Sequence, residues 1–539
     1  IGPVRIGADA TLDVRAGMSP GSSIGRGGFL APLSWLPSGQ SAGDHERWSG
    51  VPAARVGDAP PAPAVSRGRE RGAWAHTLLA VGCRTAAALA AWIPVAGAVA
   101  GIAAVVPDLD ARVLAWLSHP AVSARGVAFV IAGAFIIVAA RLVTQGVAMR
   151  IMGRVKPGVF SQWSAESIRV WTKTGIVDAT SRWLSGGLFW PWWLRLAGMR
   201  IGRNCEVSTI IDVLPETVSI GDESFFADGI YFCAPWRHRG TVTVAETSLG
   251  RSTFLGNHAV VPAGHAWPEE LFVGVATVAD AGLARPNSTW FGVPPMELPR
   301  REVVTADRSL THDPDTLRYA TRFFWEFLRL GLPVVPLLIG YLWYAGLFLG
   351  SRRMGGTLFH FVLAPAVTLA AAGVLVGATV ALKWLLLGRV RPGQHPLWSC
   401  WCSRWDFFYV AWSQWARGIL SQLEGTLLIN AVLRLMGMRI GRRVVLGPGF
   451  AQVVDPDMLC FEDESTVSCD LQAHTFEDRI LKIDRVRVGR SATVGSHTVV
   501  FYGADIGDRA FVAPQGIVMK RDALEPDRIY AGSPTRAVE

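Results

Sequence analysis

A six-residue spacing of aliphatic side chains constrains the fold of this chain more than any other feature. Two unbroken series carry it: Val488, Val494, Val500, Ile506, Val512 and Val518, and Ile6, Leu12, Met18, Ile24, Leu30 and Leu36. An amphipathic helix needs a period of about 3.6 residues and a half-buried strand a period of about 2. Six residues instead make one face of a triangular coil, and stacked coils pair their backbones about 4.8 Å apart.

This hexapeptide repeat resembles the left-handed parallel β-helices of hexapeptide acyltransferases. The resemblance implies that the aliphatic residue of each step points into a narrow lumen. A chance run of Val and Gly in an ordinary β domain is the alternative, and two unbroken series of six disfavour it.

Four uncharged windows predict membrane spans. Half of the residues are apolar and only 18% are charged. The windows are residues 85–106, 126–140, 330–350 and 361–382, and most of them approach the length that crosses a bilayer core. Buried core helices of a large soluble protein are the alternative. We therefore expect a mixed membrane protein, in which left-handed parallel β-helix domains alternate with transmembrane α-helical hairpins.

The charge distribution predicts the orientation in the membrane. The net charge is +9, and basic residues flank the first pair of windows: Arg67, Arg69, Arg71, Arg150, Arg154 and Lys156. By the positive-inside rule the long segments are cytoplasmic, although Arg352 and Arg353 in the second short loop weaken the argument. We expect a multi-pass protein of the plasma membrane, with membrane lipids and no nucleic acid as partners. The seven cysteines lack zinc-ligand spacing, so we expect reduced thiols and no metal.

A phrase that occurs three times reveals an internal repeat. The phrases "WSGVPAARV" from Trp48, "WFGVPPMEL" from Trp290 and "YAGSPTRAV" from Tyr530 start 242 and 240 residues apart. Two further pairs recur: "GRVKPGVFSQWS" with "GRVRPGQHPLWS", and "LRLAGMRIGRN" with "LRLMGMRIGRR". The first copy is shorter, so we expect that the beginning of the chain is missing.

The repeat predicts nine segments. They are the C-terminal part of a first β-helix (1–57), a Pro/Arg-rich linker (58–75), a transmembrane hairpin (76–152), an interfacial amphipathic helical segment (153–199), a second β-helix (200–300), a linker (301–325), a second hairpin (326–388), a second interfacial segment (389–437) and a third β-helix (438–539). A soluble helical cap on each β-helix is the alternative for the two interfacial segments.

The resemblance to hexapeptide acyltransferases also suggests catalytic residues. Such enzymes commonly use a histidine as general base on an amine or hydroxyl that attacks a thioester, with an acidic neighbour that orients the ring. His474, followed by Glu477 and Asp478, supplies both residue types. His258 and His497 occupy matching places in "GNHAVV" and "GSHTVV", where a structural corner is the alternative.

Two aspartates are candidates for binding an amine substrate. Asp212 and Asp455 are each followed after a short step by an acidic residue, and a turn or cap role is the alternative. The family's trimers place active sites in the clefts between β-helices. With three β-helices in one chain, we expect an intramolecular pseudo-trimer with unequal clefts.

The alternation of two-span units with three acyltransferase-like domains resembles the C-terminal membrane region of poly-lysine-synthetase-type non-ribosomal peptide synthetases. The resemblance implies amide formation between a carrier-bound aminoacyl thioester and an amine, which is an amino-acid monomer or the growing peptide. No cofactor is then bound directly; a carrier domain supplies the phosphopantetheine thioester, and upstream adenylation and carrier domains are partners. Two alternatives remain, a stand-alone membrane O- or N-acyltransferase acting on a sugar or lipid, and a non-catalytic scaffold or export conduit.

Overall fold

Three β-rich parts of the chain are built from short parallel strands. The computed structural model describes residues 2–66, 69–120, 123–298, 306–477 and 479–538. We call the β-rich parts the first, second and third β units (residues 5–58, 200–297 and 439–537). Strands of the first β unit are Arg5–Ile6, Thr11–Leu12, Gly17–Met18, Ser23–Ile24, Phe29–Leu30, Trp35–Leu36, Ser41–Ala42, Glu46–Gly50 and Ala53–Asp58.

The second and third β units have the same kind of strands. Those of the second are Arg200–Ile201, Glu206–Val207, Ile210–Ile211, Val218–Ile220, Phe225–Phe226, Ile230–Phe232, Trp236–His238, Thr241–Val244, Thr247–Leu249, Phe254–Leu255, Val260–Val261, Ala266–Trp267, Phe272–Val273, Thr289–Phe291 and Met296–Glu297. Those of the third are Arg439–Ile440, Val445–Leu446, Leu459–Phe461, Thr466–Val467, Asp470–Gln472, His474–Glu477, Ile480–Ile483, Val486–Val488, Thr493–Val494, Val499–Phe501, Asp505–Ile506, Phe511–Val512, Ile517–Val518, Ala523–Leu524, Ile529–Gly532 and Thr535–Ala537.

The aliphatic residues of the six-residue series pair in register between parallel strands. In the third β unit, Val488 lies opposite Ile506 and Val494 opposite Val512, a sequence separation of 18 residues. All six members of that series are fully buried. In the first β unit Leu30 and Leu36 are fully buried, whereas Ile6 is 57% exposed. The six-residue period therefore marks the core of the third unit and, from Ile24 onward, of the first.

Each of the three recurrent phrases forms an antiparallel turn at the end of its β unit. Strand Glu46–Gly50 pairs with Ala53–Asp58, and the other two pairs are Thr289–Phe291 with Met296–Glu297 and Ile529–Gly532 with Thr535–Ala537. The turn ends the parallel stacking, because its return strand runs against the preceding one.

Helices fill the segments between the β units. Between the first and second units they are α1 Ala73–Ala90, α2 Ile93–Val105, α3 Leu109–Ser118, α4 Ala124–Ile151, α5 Ala165–Leu184 and α6 Phe189–Ala197. Between the second and third units they are α7 Arg308–Thr311, α8 Thr316–Arg329, α9 Val334–Arg353, α10 Gly356–Leu358, α11 Ala364–Leu386, α12 Cys400–Trp415, α13 Arg417–Leu420 and α14 Leu427–Leu435. Short 3-10 or π turns are Pro215–Thr217, Phe359–Leu363, Ser421–Leu423 and Pro456–Met458, and separate strands are Gly158–Ser161 and Gly393–Pro396.

Three helical stretches of the described chain are long and apolar enough to cross a membrane: 124–151, 308–353 and 356–386. A fourth is possible only if α1 and α2 form one span, and they are bent by 42°. The predicted span over residues 85–106 thus falls on a helix pair with a break, and it stays a prediction. Pro94 lies at the start of α2, where proline is tolerated but cannot continue a preceding helix. The chain is a membrane-type protein with β-rich parts.

The aromatic stretches before the second and third β units pack against those units. Trp190 and Leu194 of α6 share a hydrophobic core with Val207 and Phe226 of the second unit. Trp412 of α12 lies in the core of the third unit. On the other side of α6, Trp192 stays 56% exposed. These stretches cover the β units through one apolar face.

Contacts join every pair of β units. Arg15 of the first unit donates to Asp470 of the third at 2.9 Å, and Asn257 of the second donates to Gln472 of the third at 2.8 Å. Between the first and second units, Thr11 Oγ1 lies 2.9 Å from His238 Nδ1.

The second and third units each project a hairpin. In the second unit it is Trp236–Val244, and the separate strand Gly158–Ser161 pairs with it. In the third unit it is His474–Ile483, and the separate strand Gly393–Pro396 pairs with it.

Candidate active site

His474 begins the hairpin that the third β unit projects toward the second. Strand His474–Glu477 pairs antiparallel with Ile480–Ile483. Beyond His474 on the same strand, the ring of Phe476 lies 5.4 Å from that of Phe225 in the second unit. The hairpin thus carries His474 to the boundary between two β units.

His474 Nδ1 lies 2.8 Å from Asp455 Oδ2. Asp455 is fully buried and has a left-handed backbone conformation, with φ of 52°. An ionised carboxylate only accepts hydrogen bonds, so Nδ1 of the ring donates to it. Nε2 of the neutral ring is then unprotonated, and it has no hydrogen-bond partner among the residues described. This is the arrangement that a general base requires.

Two aromatic residues of α12 hold Asp455 in place. Trp405 Nε1 donates to Asp455 Oδ1 at 2.8 Å, and the backbone N–H of Asp455 donates to the hydroxyl of Tyr409 at 2.6 Å. Burial, with the Asp455 charge, raises the pKa of Tyr409 well above its usual value, so the phenol stays neutral. Trp405 also packs edge-on against the His474 ring, with ring centroids 5.0 Å apart.

Sequence reasoning missed Trp405 and Tyr409, because the aromatic stretch was assigned to the membrane interface. Their spacing of four residues was an available signal. Residues four apart lie on one face of a helix, and this face meets the third β unit.

His474 lines a cavity of about 120 Å³ between the second and third β units. The second unit contributes Ser208, Phe225, Asp228, Phe254 and Asn257, the third contributes Gln472, Thr475 and Phe476, and helices α8 and α12 contribute Arg322, Glu326, Arg329, Cys402, Trp405 and Asp406. A substrate in this cavity would contact two β units and two helices at once.

The cavity wall carries an excess of negative charge. Arg322 pairs with Glu206 at 2.8 Å and with Glu326 at 2.9 Å, and Arg329 pairs with Asp406. Three carboxylates and two guanidinium groups leave one more negative than positive charge in this network. Asp228, which also lines the cavity, accepts hydrogen bonds from Ser208 and Thr209 and forms no ion pair within the described chain. The electrostatics favour a cationic group in the cavity.

Glu477, expected to orient the His474 ring, does not contact it. The Glu477 carboxylate accepts from the hydroxyl of Tyr502 at 3.0 Å and pairs with Lys482 and Lys520. Burial opposes ionisation, but the two lysines outweigh it and lower the pKa of Glu477 to about 2. The reason is strand geometry, since residues three apart along a strand face opposite sides. Asp478 lies outside the described residues.

His258 and His497 lie between short strands of their β units and do not line the cavity. Both have left-handed conformations, with φ of 59° and 57°. His497 Nδ1 lies 3.4 Å from a guanidinium nitrogen of Arg15. Burial, with the nearby Arg15 charge, lowers the pKa of His258 to about 4. The two histidines thus meet Arg15 and Asp470 at the junction of the three β units.

Asp212 is the counterpart of Asp455, but it contacts no histidine among the residues that the structure describes. Asp212 also has a left-handed conformation, with φ of 56°, and its carboxylate pairs with Arg237. The hairpin registers place Pro235 where the third unit has His474, and His238 where it has Glu477. His238 does not match His474. Among the described residues, the structure brings Asp455 and His474 together as a buried acid and a histidine on a cavity.

No family model matches the chain. It is 28% identical over 417 residues to a "Delta-poly-L-ornithine synthetase" of Acinetobacter baumannii (strain AB307-0294). The match covers 75% of this chain and 31% of that relative, so the chain spans about a third of the length of the relative.

Proposed function

We propose that this chain is the membrane-embedded condensing region of a non-ribosomal peptide synthetase. It forms amide bonds between a carrier-bound aminoacyl thioester and an amine. The contact between His474 and Asp455 on a cavity shared by two β units carries the proposal. The similarity to a δ-poly-L-ornithine synthetase supports amide-forming chemistry with an amino acid that has two amines.

The proposed architecture is that of three left-handed parallel β-helices arranged as an intramolecular pseudo-trimer. The 18-residue register of the parallel strands and the contacts between every pair of β units support it. We place the domain boundaries as the repeat predicts them. The basic residues that flank the helices support a cytoplasmic side for the β units, where upstream adenylation and carrier domains can reach them.

His474 acts as the base in the proposed reaction. The neutral amine attacks the thioester carbonyl carbon, so that a C–N bond forms while the C–S bond breaks. Nε2 of His474 takes the proton that the amine nitrogen loses, and the imidazolium then gives this proton to the leaving thiolate, which becomes a thiol. Asp455 stabilises the imidazolium and fixes Nδ1 as the donor.

The cavity supplies the position and charge that this reaction needs. Its volume of about 120 Å³ suits the reacting end of an amino acid, and the pantetheine thioester enters as a substrate that a carrier domain supplies. The excess negative charge of the wall favours the second ammonium group of the amine substrate. Holding the two reactants together supplies much of the rate advantage.

The test is amide formation by the full-length protein in membranes, with aminoacyl loading of the carrier measured separately. We expect His474→Ala to lose product by about 10²-fold or more while loading is unchanged. His45, an exposed histidine of the first β unit, provides the matched control His45→Ala, for which we expect parental rates.

Each other result has a defined meaning. Unchanged product from His474→Ala together with lost product from His258→Ala or His497→Ala would move the base to the junction of the three units. Unchanged product from all three variants would contradict an enzymatic role of the β units and favour the scaffold or conduit. Transfer to a sugar or lipid without a carrier domain would instead favour the stand-alone acyltransferase.

A further inference from the structure

A cleft that is much larger than the cavity at His474 lies between the first and second β units. Its volume is about 1070 Å³, against about 120 Å³ for the cavity at His474. The first unit contributes Asp13, Phe29 and Arg47, and the second contributes Tyr231, Trp236 and Asp280. We call it the first cleft. It has room for several residues of an extended chain.

The first cleft lacks the base of the cavity at His474. Pro235 takes the place of His474, and the carboxylate of Asp212 pairs with Arg237. His238 is buried, with Nδ1 2.9 Å from Thr11 Oγ1 and Nε2 3.0 Å from the carbonyl oxygen of Pro60. Because both ring nitrogens are occupied, this histidine cannot accept a substrate proton.

The unpaired charges of the first cleft point to a ligand that carries ammonium groups. Asp13 accepts from the backbone N–H of Val14 at 2.7 Å and from Trp236 Nε1 at 3.4 Å, and Asp280 accepts from the backbone N–H of Gly282 at 2.8 Å. Neither aspartate forms an ion pair within the described residues. Burial raises the pKa of Asp13, because the buried negative charge is unfavourable on its own. A bound cation would stabilise that charge.

The aromatic and basic groups of the wall refine that chemistry. The rings of Trp236, Tyr231 and Phe29 line the same space, and ammonium groups bind favourably over such faces. Arg47 is the single cationic group there without an ion pair in the described chain, and it lies over the Phe29 ring at 6.0 Å. Two free carboxylates and one free guanidinium suit a chain with many ammonium groups and one carboxylate.

One short segment of the second β unit contributes residues to both the cavity at His474 and the first cleft. Asn257 lines the cavity at His474, and Val260, three residues later, lines the first cleft. The buried hydroxyl of Thr243 in the cleft wall has no hydrogen-bond partner in the described residues and can bind an amide.

We propose that the first cleft is a non-catalytic binding site for an extended oligoamide that carries ammonium groups, the growing product. This inference rests on the proposed function for the identity of the chain that is held there. The site retains the oligomer between successive condensations and so lengthens the product.

Direct binding tests the proposal without any catalysis. The full-length protein in lipid nanodiscs is titrated with a fluorescein-labelled oligolysine, and an oligoglutamine of the same length serves as the neutral probe. We expect the double variant Asp13→Asn/Asp280→Asn to weaken oligolysine binding about tenfold, because two charge-assisted contacts are lost. The control is Asp9→Asn, which changes an exposed acid of the first β unit, the unit that carries Asp13. We expect parental affinity for this variant.

Product length gives the second measurement. The double variant is expected to make shorter products while its rate for the first amide bond stays parental. Equal binding by the parent and the double variant, or equal affinity for oligoglutamine, would overturn the proposal. The variant His474→Ala should bind oligolysine as the parent does, so a failure of the proposed active site is distinguishable from a failure of the cleft.

Discussion

Lys383 near the end of α11 forms a buried ion pair with Asp457 of the third β unit. Nζ lies 2.7 Å from Oδ2, and the two side chains are 1% and 2% exposed. In the preceding repeat Lys173 of α5 pairs with Glu216, again with both side chains buried. Both acids also accept a backbone N–H from the Gly-Arg-Val turn, at Val390 and Val155. A buried lysine thus ties the second and the third β unit to their helices, although a different helix supplies it in each case.

Removal of one partner of the Lys383–Asp457 ion pair should destabilise the folded protein. We expect Lys383→Met to lower the free energy of unfolding by about 3–5 kcal/mol, because it leaves a buried carboxylate uncompensated. Thermal unfolding of the protein in detergent measures the loss. The double variant Lys383→Met/Asp457→Leu should recover part of it, and a double variant less stable than the single one would contradict this account.

Asp455 should affect turnover more than substrate binding. In Asp455→Asn the amide can donate to His474 Nδ1, which moves the ring proton to Nε2 and removes the base. We expect kcat for amide formation to fall about 10²-fold or more with little change in KM. The control is Asp527→Asn, which loses only an exposed ion pair with Arg509. A rise in KM at unchanged kcat would assign Asp455 to substrate binding.

The six-residue period predicted the buried residues of the β units because it is a local property of the sequence. Val488, Val494 and Val500 are buried as expected. Each of the three recurrent phrases forms the antiparallel turn at the end of its β unit. The bend between α1 and α2 was missed because hydropathy does not register the effect of Pro94.

The acid partner of His474 was harder to predict because it is set by tertiary packing. Asp455 lies 19 residues before His474 and reaches it only because the hairpin folds back over the start of the unit. Trp405 comes from a helix 50 residues before Asp455. Nearness in sequence favoured Glu477 instead, and the alternation of side chains along the strand placed it on the other face.

His258 should make stability depend on pH. Its pKa is lowered from 6.5 to about 4, mainly by burial, so between these pH values the unfolded chain binds more protons than the folded one. Stability then rises with pH through this window and is lost as pH falls. We expect His258→Asn, which tolerates the left-handed backbone, to reduce the difference in melting temperature between pH 4 and pH 6.5. An unchanged difference would contradict the assignment.

Arg479 should hold the second and third β units together. Its guanidinium is buried and donates to the carbonyl oxygens of Asn204 at 2.5 Å and Glu223 at 3.1 Å in the second unit. Because hydrogen bonds from charged donors are strong, we expect Arg479→Ala to destabilise the protein by about 3 kcal/mol or more. Hydrogen exchange should accelerate around residues 204 and 223, which Arg479 no longer fixes.

The matched control for this interface is Arg509→Ala, which removes an exposed arginine of the same β unit. We expect almost no change there, since exposed ion pairs contribute little. Because His474 lies on the same hairpin as Arg479, a loosened interface should also widen the cavity and raise KM for the amine. Faster hydrogen exchange at an unchanged KM would mean that the cavity keeps its shape without the Arg479 hydrogen bonds. The packing of Phe476 against Phe225 would then be sufficient to hold the hairpin in position.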